Sequence, residues 1–324
     1  MKARKDRPDG IRGVPVVTTT EAVLELAPDC VVLTPAAASI YKGLDDDVIT
    51  LLGAGINVVS TAAYHSPSAV NFLSPKRATA TQLIEAAERG GATLHGTGVH
   101  PTFMVERVIL TLAQALDEVD HIRFVEAANF SGAPDSMWGG LGALGLGKPL
   151  DEVTSDHPVA MGGDIYYGDV IVNVAEALFD AAPADVRVER SFRGVPSDRD
   201  VTIGSTEIAA GTAGAVHLVH RGYLGDRHFF TNEECWYLGD AVTFRGEDLP
   251  FGGFKGDASY TAEITGRPTP MRLQIEFDPV DGGPDPITTG SVRAALAAIP
   301  AVVEADPGIL VDDVRPRYRH HQPS

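Results

Sequence analysis

Four short apolar runs in the first third of the chain, set apart by helical patterns, limit the fold more than any other feature. They are VPVVTT (Val14–Thr19), DCVVLTP (Asp29–Pro35), NVVST (Asn57–Thr61) and ATLHGTG (Ala92–Gly98). Between and after them, Ala80, Leu83, Ile84 and Ala87 fall on one helical face, as do Val105, Ile109, Leu112 and Leu116. Ser74 and Pro75 read as the cap and first residue of the helix that ends at Gly90–Gly91. Strand and helix alternating in this way predict right-handed βαβ units and a parallel sheet. The runs are apolar throughout, as strands covered on both faces are. Ligands of such sheets bind outside the carboxyl ends of the strands. Those ends are Thr34–Pro35–Ala36, Ser60–Thr61–Ala62 and Gly96–Thr97–Gly98.

From about His121 the pattern changes. HIRFVEAANF reads as a strand and GDVIVNVAEALFDAA as a helix. VRVERSF, GAVHLVHRGYL, RHFFTNEECWYL, TAEITG and MRLQIEF then follow as strands. Gly225–Asp226 joins the second and third of these as a hairpin. A last helix, TTGSVRAALAAIP, follows. The expected fold class is α/β plus α+β: a truncated Rossmann-like parallel sheet domain over 1–120, then an open, largely antiparallel sheet domain over 121–286. Residues 287–324 form the final helix and a polar tail.

Acidic residues outnumber basic ones 44 to 26 in 324 residues, a net charge of −18. Such a surface repels phosphate backbones, so nucleic acid is not an expected partner. No apolar run reads as a membrane span and no signal peptide opens the chain, so a cytoplasmic protein is expected. Cys30 and Cys235 lie in apolar runs without metal spacing and read as core thiols. His320–His321 and the basic cluster Lys2, Arg4, Lys5 and Arg7 read as solvated tails.

GGLGALGLGK (Gly139–Lys148) contains G-x-G-x-x-G at Gly140–Gly145. A dinucleotide fingerprint needs a strand directly before the first glycine and a helix starting inside the motif. Here SGAPDSMWG intervenes after the strand and Pro149 follows, so a flexible loop, in the manner of a lid, is the expected structure. A Rossmann chain ordinarily opens with strand, glycine loop, helix and second strand. This one starts at what reads as the piece after that second strand, so the first βαβ unit is expected to be missing.

DCVVLTP, LLGAGINVVST, GATLHGTGVHPTFMVERVIL, EIAAGTAGAVHLVHRGYLGD, EECWYLG and AAIPAVVEADPGIL occur in this order. Together they resemble the dihydrodipicolinate reductase-like superfamily, in the branch of 2,4-diaminopentanoate dehydrogenase and related NAD(P)-dependent amino-acid dehydrogenases. The resemblance implies a cofactor, NADP or NAD, and a final helix packing back on the first domain. It also implies hydride transfer to or from a C=N or C–NH2 carbon of a small amino-acid-like substrate. Dihydrodipicolinate itself is not expected, because VEAANFSGAPDSMWGG lacks the His-His pair and Lys of that reductase. The missing glycine loop leaves a second reading open, a non-catalytic binding or regulatory homologue.

In this frame Thr34, Pro35, Ala36, Thr61, Ala62, Gly96, Thr97 and Gly98 are candidates to line the cofactor, the first two strand ends being equally readable as turns. His100 is a candidate proton donor to substrate nitrogen, or else a loop histidine. His65 is a weaker acid/base candidate and is expected to be exposed. Glu126 is a candidate catalytic carboxylate; Asn129, at odd spacing from it, faces the other way as a candidate substrate ligand. Asp164 and Tyr166, with Tyr167, open a helix and are candidate substrate ligands, or a cap. Strands rich in β-branched and aromatic residues predict a homo-oligomer through the second sheet.

Overall fold

The computed structural model describes residues 15–35, 43–62, 64–72, 78–132, 141–246, 257–278 and 286–311. Ala36, Ser74–Pro75, the basic cluster at Lys2–Arg7 and His320–His321 lie outside them. So does the start of the glycine-rich stretch.

The first sheet is built as the alternation predicts. After helix α1 (Thr20–Glu25), strands β1 (Cys30–Leu33), β2 (Asn57–Ser60) and β3 (Thr93–Gly96) run parallel, with Val31 beside Val58 and Val59 beside His95. Helices α2 (Leu44–Gly53), α3 (Pro67–Phe72) and α4 (Ala80–Gly90) fall between them. Three aspartates occupy the first turn of α2, where the helix dipole favours them. A Thr79–Gln82 capping box starts α4, and left-handed Gly91 ends it. Val48, Leu51 and Leu52 of α2 and Leu83, Ala86 and Ala87 of α4 form a core against Val58 and Leu94.

Two expectations fail here. Val14–Thr19 is not a strand in its described part: Pro15–Thr18 pair with no neighbour, Val16 and Val17 are exposed, and Thr19 instead caps α1. With β1 at the edge of the described sheet, no neighbouring strand is there to receive the run. The helix expected from Ser74–Pro75 starts at Ala80, because the Thr79 side chain caps it.

A helical segment, Val99–Ile109, continues into α5 (Leu110–Ala113) and leads to β4 (Glu118–Asn129). Helices α6 (Pro158–Gly163) and α7 (Asp169–Phe179) precede β5 (Val186–Pro196). A small ribbon of β6 (Val201–Ile203) and β7 (Thr206–Ile208) separates β5 from β8 (Ala213–Leu224). Strands β9 (Arg227–Tyr237), β10 (Ala258–Arg267) and β11 (Met271–Phe277) complete a second sheet of order β11-β10-β4-β9-β8-β5. Its neighbours are antiparallel except β4 and β9, which are parallel. The Gly225–Asp226 turn joins β8 to β9 as expected.

One face of this sheet is covered by α7 and the 99–113 helix. Val170, Ile171, Val174 and Leu178 meet Met104, Val105 and Ile109, and both sets meet Ile122, Phe124 and Phe229 of the strands. Every described residue of α7 but Glu176 is buried, Asp169 and Asn173 among them, so the burial reaches beyond the one apolar face that the sequence pattern showed.

The described part of the glycine-rich stretch is not a lid. Leu141, Leu144 and Leu146 are buried in a core with Phe192 and Val216, and Gly147 and Lys148 bond to the backbone of Ala213. These three leucines hold it down.

Helix α8 (Pro286–Glu304) returns to the first sheet, where Ala295 and Val302 pack on Val59. Strand β12 (Gly308–Ile309) then adds beside β3, in parallel. The sequence reading found no membrane-length run. By length and composition alone α8 is one, although its alanines and glycine make the run less conspicuous; in this fold Ala295 and Val302 pack it on the sheet and most of its other residues stay outside the core.

At Gly90 an added Cβ would lie 1.9 Å from the backbone oxygen of Leu52. Glycine to alanine within a helix ordinarily stabilises. Here Gly90→Ala is expected to destabilise by about 1–3 kcal/mol through overpacking, measured by urea unfolding. Unchanged or raised stability would show that α2 and α4 do not meet this closely.

Candidate active site

Strand β3 leaves the first sheet at Gly96. The Thr97 amide still donates to Ser60, 2.8 Å away, which holds the strand end in line with β2. Gly98 adopts φ +153°, and a Cβ there would meet nothing within 4 Å. The backbone remains non-helical at His100 (φ −128°, ψ 134°) before the helix proper begins. This hinge aims the imidazole out of the first sheet and onto the inner face of the second.

There the strand register assembles a row from distant sequence. Tyr260 of β10, Glu126 of β4 and Glu234 of β9 are cross-strand partners and share a face. His100 Nε2 lies 2.8 Å from Glu234 Oε1, its ring stacked on Phe124 at 4.8 Å and flanked by Tyr167 and Tyr260. Asn232 Nδ2 donates to the same Glu234 oxygen at 2.7 Å, and Trp236 Nε1 donates to Glu126 at 3.0 Å. Glu234 is fully buried and Glu126 nearly so. Among the described residues no lysine or arginine pairs with either.

Burial pushes Glu126 up to about 7, with the neighbouring Glu234 adding to the effect. Burial likewise pushes Glu234 up to about 8, against the bond from Asn232. Burial holds His100 down at about 4, opposed by Glu126 and reinforced by His65. Near neutrality the cluster is a neutral imidazole beside two carboxyl groups poised between their protonated and ionised forms. The donor atoms of His100, Glu126 and Glu234 lie within 4.8 Å of one another, in reach of a shared proton or of a divalent ion.

The candidate cofactor residues divide by burial. Gly96, Thr97 and Gly98 are buried beside His100, and Thr97 Oγ1 has no hydrogen-bond partner. An orphaned hydroxyl next to an open glycine fits a planar ligand that brings its own donor or acceptor, as a nicotinamide carboxamide does. Ala62 is buried in a turn closed by the Ser60 hydroxyl, and Thr61 donates its amide to Leu33. Thr34 is exposed and Pro35 half-buried at the end of β1.

His100 and Glu126 come together. Asn129, Asp164 and Tyr166 do not hydrogen-bond to them. Asn129 accepts from the amide and hydroxyl of Ser131, which closes a turn. Asp164 pairs with Arg190 and with His220. Tyr166 packs at the edge of two cores beside Tyr167. His65, expected to be exposed, is 4% exposed. Glu234 escaped the sequence reading; its one signal is a pair of acids, Glu233–Glu234, in a strand where charge is uncommon. Glu233 points to the other face, where it takes Arg123 and His217.

No protein-family model matches the chain, and no curated protein matches it. Among solved structures it is similar to an amine dehydrogenase from Mycobacterium smegmatis, with 20% identity and a TM-score of 0.62, over 96% of this chain and 83% of that one. It is less similar to a dehydrogenase from Chromobacterium violaceum (16%, TM-score 0.40, 91% and 77% covered). The same holds for a dihydrodipicolinate reductase from Paenisporosarcina sp. TG-14 (9%, TM-score 0.35, 92% and 77% covered). The first likeness shows the fold, a Rossmann-like sheet followed by a second sheet domain. The other two are too distant to add to it.

The carboxyl pair has a consequence for stability. Its folded values are raised above the ordinary 4.5, so its contribution is present below pH 4.5 and is lost as pH rises through about 7 and about 8. His100, lowered from 6.5, acts oppositely, gaining stability from about pH 4 to 6.5. The melting temperature is therefore expected to fall most steeply between roughly pH 6.5 and pH 8, where His100 no longer opposes the loss. In Glu234→Gln that fall should flatten. Parallel declines in both proteins would contradict the buried pair.

Proposed function

We propose that the protein is an NAD(P)-dependent oxidoreductase acting at the nitrogen-bearing carbon of an amino-acid-like substrate. The observation that carries the reading is the His100–Glu234–Glu126 cluster beside Thr97 and Gly98, at the carboxyl end of a parallel strand. A nicotinamide bound there supplies the acceptor or donor of hydride. Thr97 Oγ1 and the open face of Gly98 would hold its ring.

The protein's own share is proton handling. A substrate ammonium holds its nitrogen lone pair in an N–H bond, so its carbon gives up hydride only after that proton leaves. The Glu126–Glu234 pair, once ionised at one oxygen, accepts the proton: an N–H bond breaks and a carboxyl O–H bond forms. The freed lone pair becomes the second C=N bond as the C–H electron pair departs. In the reverse direction the same carboxyl returns the proton to nitrogen. Values near 7 and 8 suit this exchange better than an ordinary carboxylate does. Neutral His100 holds Glu234 in place, and Phe124, Tyr167 and Tyr260 keep water from the pair.

Titration calorimetry with NADH and NADPH is expected to show binding, weakened roughly five- to tenfold in Thr97→Val. With cofactor present, nicotinamide absorbance should report turnover within a panel of amino acids and simple amines. Glu234→Gln should lower kcat by roughly 10²–10⁴-fold, and His100→Gln should lower it as well. A folded chain that takes up neither dinucleotide would overturn the proposal in favour of a binding or regulatory protein.

A further inference from the structure

A second buried polar group lies behind His100 and has no part in the chemistry above. His65 stands in the turn after β2, directly behind Tyr64, a buried residue held at φ +67°. Left-handed backbone at a large non-glycine side chain persists only where the surroundings enforce it. Here the Tyr64 hydroxyl is bonded to Asp45, whose other oxygen accepts the amide of Ala78 at 2.9 Å. The strained turn drives the His65 ring inward.

The ring meets two helices there. His65 Nε2 lies 3.1 Å from Thr102 Oγ1, and Nδ1 lies 3.3 Å from Glu106 Oε1 and 3.9 Å from Asp169 Oδ2. Asn173 Nδ2 donates to the same Glu106 oxygen at 2.7 Å. All five residues are no more than 5% exposed. Thr102 and Glu106 belong to the helix that His100 begins, whereas Asp169 and Asn173 belong to α7. The imidazole therefore fastens the turn after β2 to the His100 helix through Thr102 and stands against Glu106, and the Asn173–Glu106 bond ties that helix in turn to α7.

We propose that His65 is a positioning residue for His100: by bonding Thr102 and packing against Glu106 it keeps the His100 ring seated, dry, against Glu234. The inference rests on the reading of His100 as part of the active site, but its structural claim stands apart from catalysis. The groups facing His100 are Glu126 from β4, Glu234 from β9, Tyr260 from β10, Tyr167 from ahead of α7, and His65 itself. Burial above all holds His100 below the ordinary histidine value, against Glu126, and the charge of His65 adds to it; removing His65 therefore raises His100 through charge alone, and an unseated, wetter ring raises it further, whereas a variant that keeps His65 reads the seating by itself.

The test is an NMR titration of labelled histidine in the full chain, without cofactor or substrate, with His100 assigned by His100→Gln. His65→Ala is expected to raise the His100 midpoint from about 4 toward 6.5, by roughly one pH unit or more. His65→Gln, which can still reach Thr102, should restore part of the difference, whereas His65→Leu, which fills the space with no polar atom, should not; equal rescue by both would show a merely space-filling role. If His65→Ala does not fold, Glu106→Gln decides, since it leaves the ring in place and weakens one arm of the bridge; an upward shift is again expected. An unmoved His100 midpoint in a folded variant of either residue overturns the proposal, whatever happens to melting temperature. Because no turnover is measured, a failed dehydrogenase assay and a failed bridge give separate results.

Discussion

Two carboxyl groups, Glu126 and Glu234, sit side by side in an apolar layer, and among the described residues neither a lysine nor an arginine neutralises them. Burying two charges this way would cost far more than the fold could return, so the pair holds at least one proton near neutrality. The neighbourhood follows from that constraint. Indole and amide donors reach the oxygens, aromatic rings seal them, and a neutral imidazole lies on one of them. A basic residue in the same place would have made an inert salt bridge. Its absence leaves the pair able to gain or lose a proton close to working pH.

The constraint also explains why the two sheets are tied by one helix. His100 belongs to the first sheet by sequence and to the second by contact. The 99–113 helix that carries it shares its core with α7 and with the inner strands. Position at the cluster is therefore inherited from the packing of a whole layer, with Gly98 and the His65 turn giving the chain its direction at the crossing.

Much of the architecture could be read from residue order. The parallel strands, the Gly225–Asp226 hairpin and the last helix each leave a local pattern, because apolar periodicity and turn residues act over a few positions; that this helix returns to the first sheet was implied by the resemblance alone. The strand end at Gly96–Gly98 and the histidine after it were legible for the same reason. Glu234 was not, since its partnership with Glu126 depends on β4 and β9 lying parallel, a register that no local pattern encodes. His65 was misjudged because its burial depends on a backbone conformation that Tyr64 adopts only under tertiary pressure. Asp164 drew notice as a helix opener, yet Arg190 and His220, distant in sequence, claim its carboxylate. Val14–Thr19 has the composition of a strand, but composition does not supply a neighbour.

The first sheet borrows its last strand and one of its covers from far downstream. Strands β1 to β3 precede the entire second sheet in the chain, yet α8 and β12, which lie on Val59 and beside β3, come after it. During synthesis the early strands leave the ribosome long before the segment that completes them. The nascent chain must carry that uncovered face through the making of the whole second sheet. The two halves are thus bound by the timing of translation, and an expression fragment cut between them would lack a layer of its own core.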